Sequence, residues 1–187
     1  MASILRFDNW ENSDGTSIAT SDASGNLTFA GVGAGKILQV VSTTKTDTFS
    51  ATIADTFTDV TGLSVAITPS AASSKILVVA NVNMAGAYDR PPMRLVRDST
   101  AIAVGDTAGS RLSVSSAGYM LAGADTTTVA VNYLDSPSTT SATTYKVQVV
   151  VPNSTPAAIY VNRSITDSDT NSHVRSASTI TVMEVSA

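Results

Sequence analysis

The stretch Tyr145-Lys146-Val147-Gln148-Val149-Val150-Val151 sets Tyr145, Val147, Val149 and Val151 on one side and Lys146 and Gln148 on the other. A period of two puts residues i, i+2 and i+4 on one face only in a β-strand. The same alternation recurs outward in both directions. Upstream, Ile76, Val78, Ala80, Val82 and Met84 face one way, opposed first by Leu77 and Val79 and then by Asn81 and Asn83. That strand reads as buried on both faces at its start and on one at its end. Leu63, Val65 and Ile67 alternate before Pro69, which ends their strand. Lys36–Thr43, Asp47–Thr58, Met93–Asp98, Thr100–Gly105, Gly118–Ala122, Thr127–Leu134, Ala158–Asn162 and Thr179–Val185 complete the set. Short strands at close spacing, joined by Ser/Thr/Asp/Gly turns and with no amphipathic helix between them, predict an all-β fold. The expected form is an antiparallel two-sheet sandwich, jelly-roll-like, with an extended N-terminal arm.

Composition points the same way. Of 187 residues, 21 are Val, 10 Ile and 26 Thr, while straight-chain helix formers are scarce at 2 Glu and 4 Lys. Charged residues make up only 14%, and 26 Ser with 26 Thr fill the surface with small hydroxyls instead. A net charge of −4 and an aromatic content of 5% argue against nucleic-acid binding, which needs a basic footprint and stacking platforms. The absence of cysteine excludes disulfides, thiolate metal sites and a cysteine nucleophile. No apolar run is long enough to span a bilayer as a helix, and Met1–Asp8 has no basic segment followed by a long apolar one, so neither a membrane partner nor a signal peptide is expected.

Residues 1–35 differ from the rest of the chain. Between Asp8 and Gly35 the chain is rich in Asp, Asn, Ser, Thr and Gly, with isolated apolar residues at Trp10, Ile18, Leu27, Phe29 and Val32. Such a segment cannot build a core alone. We read 1–35 as an extended arm, held by its own domain or by a neighbour, and 36–187 as the β-sandwich domain.

The remaining motifs are weak when set against plainer explanations. Gly31-Val32-Gly33-Ala34-Gly35-Lys36 lacks the spacing of a phosphate loop, and Ile37 stands where a metal-ligating hydroxyl is needed, so a flexible hinge explains it. Asp167-Ser168-Asp169-Thr170-Asn171-Ser172-His173 opens like a calcium loop, yet Ser172 replaces the required glycine and Ser178 the required acid. A turn capped by Asx side chains accounts for it. His173 is the only histidine, there is no nucleophile elbow, and the two glutamates, Glu11 and Glu184, lie at opposite ends of the chain. No catalytic residue, metal ligand or cofactor is expected. Arg90, Arg94 and Arg97 gather three of seven arginines within eight residues, and alternation puts Arg94 and Arg97 on opposite faces. A plain solvated surface is the simpler reading; the alternative makes them a subunit interface, pairing with carboxylates within or between subunits. Sequons at Asn26, Asn153 and Asn162 are expected by chance in so Ser/Thr-rich a chain.

Five stretches carry a family resemblance: residues 3–20 (SILRFDNWENSDGTSIAT), 33–50 (GAGKILQVVSTTKTDTFS), 62–86 (GLSVAITPSAASSKILVVANVNMAG), 134–151 (LDSPSTTSATTYKVQVVV) and 178–187 (STITVMEVSA). In pattern and order the chain resembles the small, often tail-fibre-like virion structural proteins of tailed phages, especially phages of cyanobacteria and aquatic bacteria. The resemblance implies a non-enzymatic component of the outer surface of the particle, commonly a homotrimer, attached through its N-terminal segment. Ile4, Leu5, Phe7, Trp10 and Ile18 would then be the attachment residues. The partners would be the major capsid protein or a tail or adaptor protein. A capsid decoration (cement) protein is the first expectation. A short tail or head fibre that binds a host-surface receptor is the alternative, with loops such as Asp106–Ser116 and Pro152–Pro156 as its contacts. A polysaccharide-degrading, tailspike-like enzyme is the remote one.

Overall fold

The computed structural model describes residues 9–25, 27–29, 35–86, 90–119 and 126–187. Among the described residues fourteen strands form: β1 (Asn9–Glu11), β2 (Ser17–Ser21), β3 (Leu27–Phe29), β4 (Ile37–Lys45), β5 (Phe49–Ile53), β6 (Thr58–Ile67), β7 (Lys75–Gly86), β8 (Pro92–Arg97), β9 (Thr100–Ile102), β10 (Ser116–Ala117), β11 (Thr127–Asp135), β12 (Thr143–Val149), β13 (Ala157–Val161) and β14 (Ser178–Val185). There is no helix among the described residues. Every strand predicted from alternation except Gly118–Ala122 is present, shifted by a few residues at its ends. Where that strand is predicted, Gly118 and Tyr119 are not in a strand and residues 120–122 lie outside the described residues; pairing with β8 ends before it, at Ser116–Ala117.

Two antiparallel sheets face each other. One runs β4-β14-β7 with β11 on the far side of β7, and the other runs β6-β12-β8 with β9 and β10 beside β8. Taking β4, β6, β7, β8, β9/β10, β11, β12 and β14 in chain order as the first to eighth strands, the sheets read 1-8-3-6 and 2-7-4-5. That is the strand order of a jelly roll, so the topology bears out the predicted fold class. Strands β5 and β13 pair with each other and extend the first sheet where β13 takes over the edge of β7 vacated by the end of β14. Gly86 marks this hand-over. A Cβ there would stand 2.8 Å from the carbonyl oxygen of Ala158, so only glycine lets β13 approach so closely.

The core is what alternation dictates: Ile76, Val78, Ala80, Val82 and Met84 of β7 meet Leu63, Val65 and Ile67 of β6, Met93 and Leu95 of β8, and Tyr145, Val147 and Val149 of β12. All are buried, and burying a side chain of this size contributes about 1.5–3 kcal/mol. Small β-branched residues fill the space because two sheets ~10 Å apart leave little room between them.

The N-terminal segment contains more regular structure than its composition predicts. β1, β2 and β3 form a three-stranded antiparallel sheet of their own, which shares no strand pairing with the jelly roll. Its turns supply the reason: Gly15 and Gly25 adopt φ +79° and +82°, and Asn12 and Asp22 side chains accept backbone hydrogen bonds from Thr16 and Ser24. Gly35 and Lys36 then join the domain by pairing with the backbone of Ser186.

Candidate functional site

Of the attachment candidates, Ile4, Leu5 and Phe7 lie outside the described residues. Trp10 lies in β1 directly opposite Ala19 of β2 and is 54% exposed. Leu27 of β3 pairs with Ser21 of β2, on the same face of the small sheet as Ala19, and is 61% exposed. Ile18 is the extra residue of a β-bulge opposite Trp10–Glu11. The structure therefore brings Trp10 and Leu27 to one face, beside the buried Ala19, and sets Ile18 apart at the bulge.

The arginine candidates separate as alternation predicts. Arg97 follows Met93 and Leu95 on the core-facing side of β8 and crosses to the opposite sheet. Its Nη1 donates to both oxygens of Asp135 on β11, at 2.9 and 2.8 Å. Tyr145, the register partner of Arg97 on β12, donates its hydroxyl to the same carboxylate at 2.7 Å. Burial, and then the neighbouring Asp135 carboxylate, raise the Tyr145 pKa far above its ordinary value. Arg94 points outward. Its guanidinium stacks 3.5 Å over the centroid of Phe57 and donates to Gln148, which in turn donates to Asp59, the carboxylate that also pairs with Lys146 at 2.7 Å. Arg90 lies exposed just ahead of β8. Arg94 and Arg97 thus find their partners within the chain.

Residues that the sequence reading passed over carry most of the buried polar chemistry. Gln39, Glu184, Ile76 and Asp135 are directly opposed across β4, β14, β7 and β11, so one end of the core face is a mainly polar row. Glu184 accepts from the Ser70 backbone at 2.7 Å, the Ser70 hydroxyl at 2.6 Å and Gln39 Nε2 at 2.6 Å. Burial alone would raise its pKa, but hydrogen bonds from Ser70, Ser74 and Gln39 outweigh that and hold it at about 2. Gln39 Nε2 also donates to the Thr68 carbonyl, and Thr43 Oγ1 to that of Ser64, sealing β4 of one sheet against β6 of the other.

At the other end, fully buried Asn162 adopts φ +63° just after β13. Its amide donates to the carbonyls of Lys45 and Asp47 at 2.8 and 3.0 Å and accepts from Ser178 Oγ at 2.6 Å. It bridges the break between β4 and β5 beside the break between β13 and β14. Its burial also removes the Asn162 sequon from the surface of the folded chain. Lys45 is buried too, its amine 2.7 Å from Asp47 and 3.4 Å from where a Gly62 Cβ would stand. For the three charged residues the sequence signal is a polar residue in phase with apolar neighbours: Glu184 after Ile180 and Val182, Asp135 after Val129 and Val131, Lys45 after Val41. Asn162 follows Val161 out of phase and gives no such signal.

The Asp167–His173 turn lines a shallow surface depression of about 230 Å³ together with Arg175. Asp167 is held by Arg175 at 2.6 Å and Arg163 at 3.5 Å, and His173 Nδ1 meets the Ser168 hydroxyl at 2.5 Å. These contacts are those of a capped turn, and no cluster suited to a metal ion occurs among the described residues.

No protein-family model matches the chain, and no curated protein matches it. Among solved structures it is similar to that of infectious bursal disease virus, Gx strain, at 14% identity and a TM-score of 0.40, over 86% of this chain and 43% of that one. The chain thus spans less than half the length of that neighbour, and a likeness this distant bears no weight in the functional argument.

Proposed function

We propose that the chain is a non-enzymatic structural protein of the outer surface of a tailed-phage particle, a capsid decoration protein attached through residues 1–35. The observation that carries the reading is the division of labour along the chain. A jelly roll holds its buried polar groups in internal networks, while a separate N-terminal sheet presents Trp10 and Leu27 outward. Exposed apolar residues on one face of a small sheet suit docking onto a protein surface. The jelly roll is a fold that viral capsids share with other proteins, so it supports the reading by analogy only. The resemblance to small phage virion proteins supplies the phage context.

Localisation on the virus particle tests this directly. Immunogold label spread over the head is the expected result, and removal of residues 1–35 should abolish binding to heads while the β domain stays folded. Label confined to the tail would replace decoration with the fibre reading. Label on neither would overturn the virion assignment.

A further inference from the structure

The two outer faces of the jelly roll differ in kind. The β6–β12–β8 face carries the charged ladder of Asp59, Lys146, Gln148 and Arg94. Across the outer face of the other sheet, Val40 of β4, Met183 of β14, Leu77 of β7 and Leu134 of β11 are directly opposed and form one apolar row. Val40 is 56% and Leu134 52% exposed, on a face where rows of Thr, Ser, Asn and Val flank this one. The only charged side chain in these rows is Lys75, at the rim, and it donates to Ser136 Oγ at 2.8 Å. Ser42 and Thr181 hydrogen-bond each other at 2.8 Å within the next row, so covering that pair would orphan neither hydroxyl.

We propose that this uncharged face is a self-association surface, on which a second copy of the chain packs about a two-fold axis, apolar row against apolar row. Charge selects the occupant. A two-fold contact sets a patch against itself, so a patch of one sign of charge would juxtapose like charges, whereas this one brings none together at its centre. The chain's net charge of −4 otherwise repels a second copy, which leaves a neutral face as the favoured place of contact. Four strands ~4.8 Å apart and about nine residues long at ~3.3 Å each cover about 600 Å² in projection. With side-chain relief added, that approaches the ~800 Å² per partner of a standard interface. Sheet-on-sheet packing of this kind is what the sandwich already does internally. The proposal does not depend on the virion reading.

Sedimentation velocity and light scattering on the full chain test it, from about 1 to about 100 µM, the range over which an interface of modest affinity dissociates. The wild type should reach the mass of a dimer. The double variant Val40→Glu/Leu134→Glu should stay monomeric, its dissociation constant raised at least tenfold, with an unchanged circular dichroism spectrum. Gln148→Ala, on the opposite face, should leave the dimer intact. If the double variant fails to fold, Val40→Lys alone, on an edge strand, takes its place with the same expectation. A monomeric wild type at the highest concentration, a trimeric mass, or a folded double variant that still dimerises would each overturn the proposal.

Discussion

Replacing Asn162 tests whether the split in the larger sheet is held by one buried amide. In Asn162→Ala the carbonyls of Lys45 and Asp47 lose their donor and the Ser178 hydroxyl its acceptor, three hydrogen bonds of 2.6–3.0 Å in all. At about 1 kcal/mol net for each bond, their loss costs about 3 kcal/mol. Alanine must also hold φ +63°, a left-handed conformation that asparagine tolerates and that costs alanine about 1 kcal/mol more. The expected loss is about 4 kcal/mol for Asn162→Ala and about 3 kcal/mol for Asn162→Gly, which keeps the backbone freedom but loses the bonds. Asn162→Asp, nearly the same shape, should be at least as damaging as alanine, because a carboxylate would face two carbonyl oxygens. Urea unfolding followed by far-ultraviolet circular dichroism reads this out. With a slope of about 2 kcal/mol per molar, the alanine midpoint should fall by about 2 M. A midpoint within about 0.5 M of wild type, or a glycine variant less stable than the alanine one, would refute the reasoning.

The other predictions concern the opposite end of the core and two close approaches. Because the Glu184 pKa is lowered to about 2 from an ordinary value near 4.5, its contribution is fully present above pH 4.5 and is lost as pH falls toward 2. Urea midpoints measured across that window should decline for the wild type, and Glu184→Gln should flatten its share of the decline. Tyr145→Phe removes one hydrogen bond but leaves Asp135 held by Arg97, a cost of about 1–2 kcal/mol. Asp135→Ala strands both Arg97 and the Tyr145 hydroxyl, and should cost about 3–5 kcal/mol in the same unfolding assay. Gly86→Ala places a methyl 2.8 Å from the Ala158 carbonyl oxygen and should lower stability by about 1–3 kcal/mol, visible as a reduced melting temperature.

Much of the fold was legible in residue order. Alternation at Tyr145–Val151 and Ile76–Met84 located the two strands at the heart of their sheets, because burial on one face imposes a period of two however the chain is wired. It also placed Arg94 and Arg97 on opposite faces. The N-terminal strands were missed since their pattern is short, interrupted by a bulge at Ile18, and organised by turns rather than by burial. Glu184, Asp135, Lys45 and Asn162 were passed over for a different reason. Glu184, Asp135 and Lys45 were visible as polar residues in an apolar register, whereas Asn162 falls out of phase with Ile159 and Val161. For three of the four, what satisfies them comes from distant chain: Ser70 for Glu184, Arg97 for Asp135, Lys45 for Asn162. Period and composition, being local properties, were enough to make this an all-β chain rich in hydroxyls. Which strands are neighbours, which buried charges are paired, and the contrast between one nearly neutral outer face and one charged face emerged from the folded arrangement. Those depend on register between segments far apart in sequence, which no local pattern encodes.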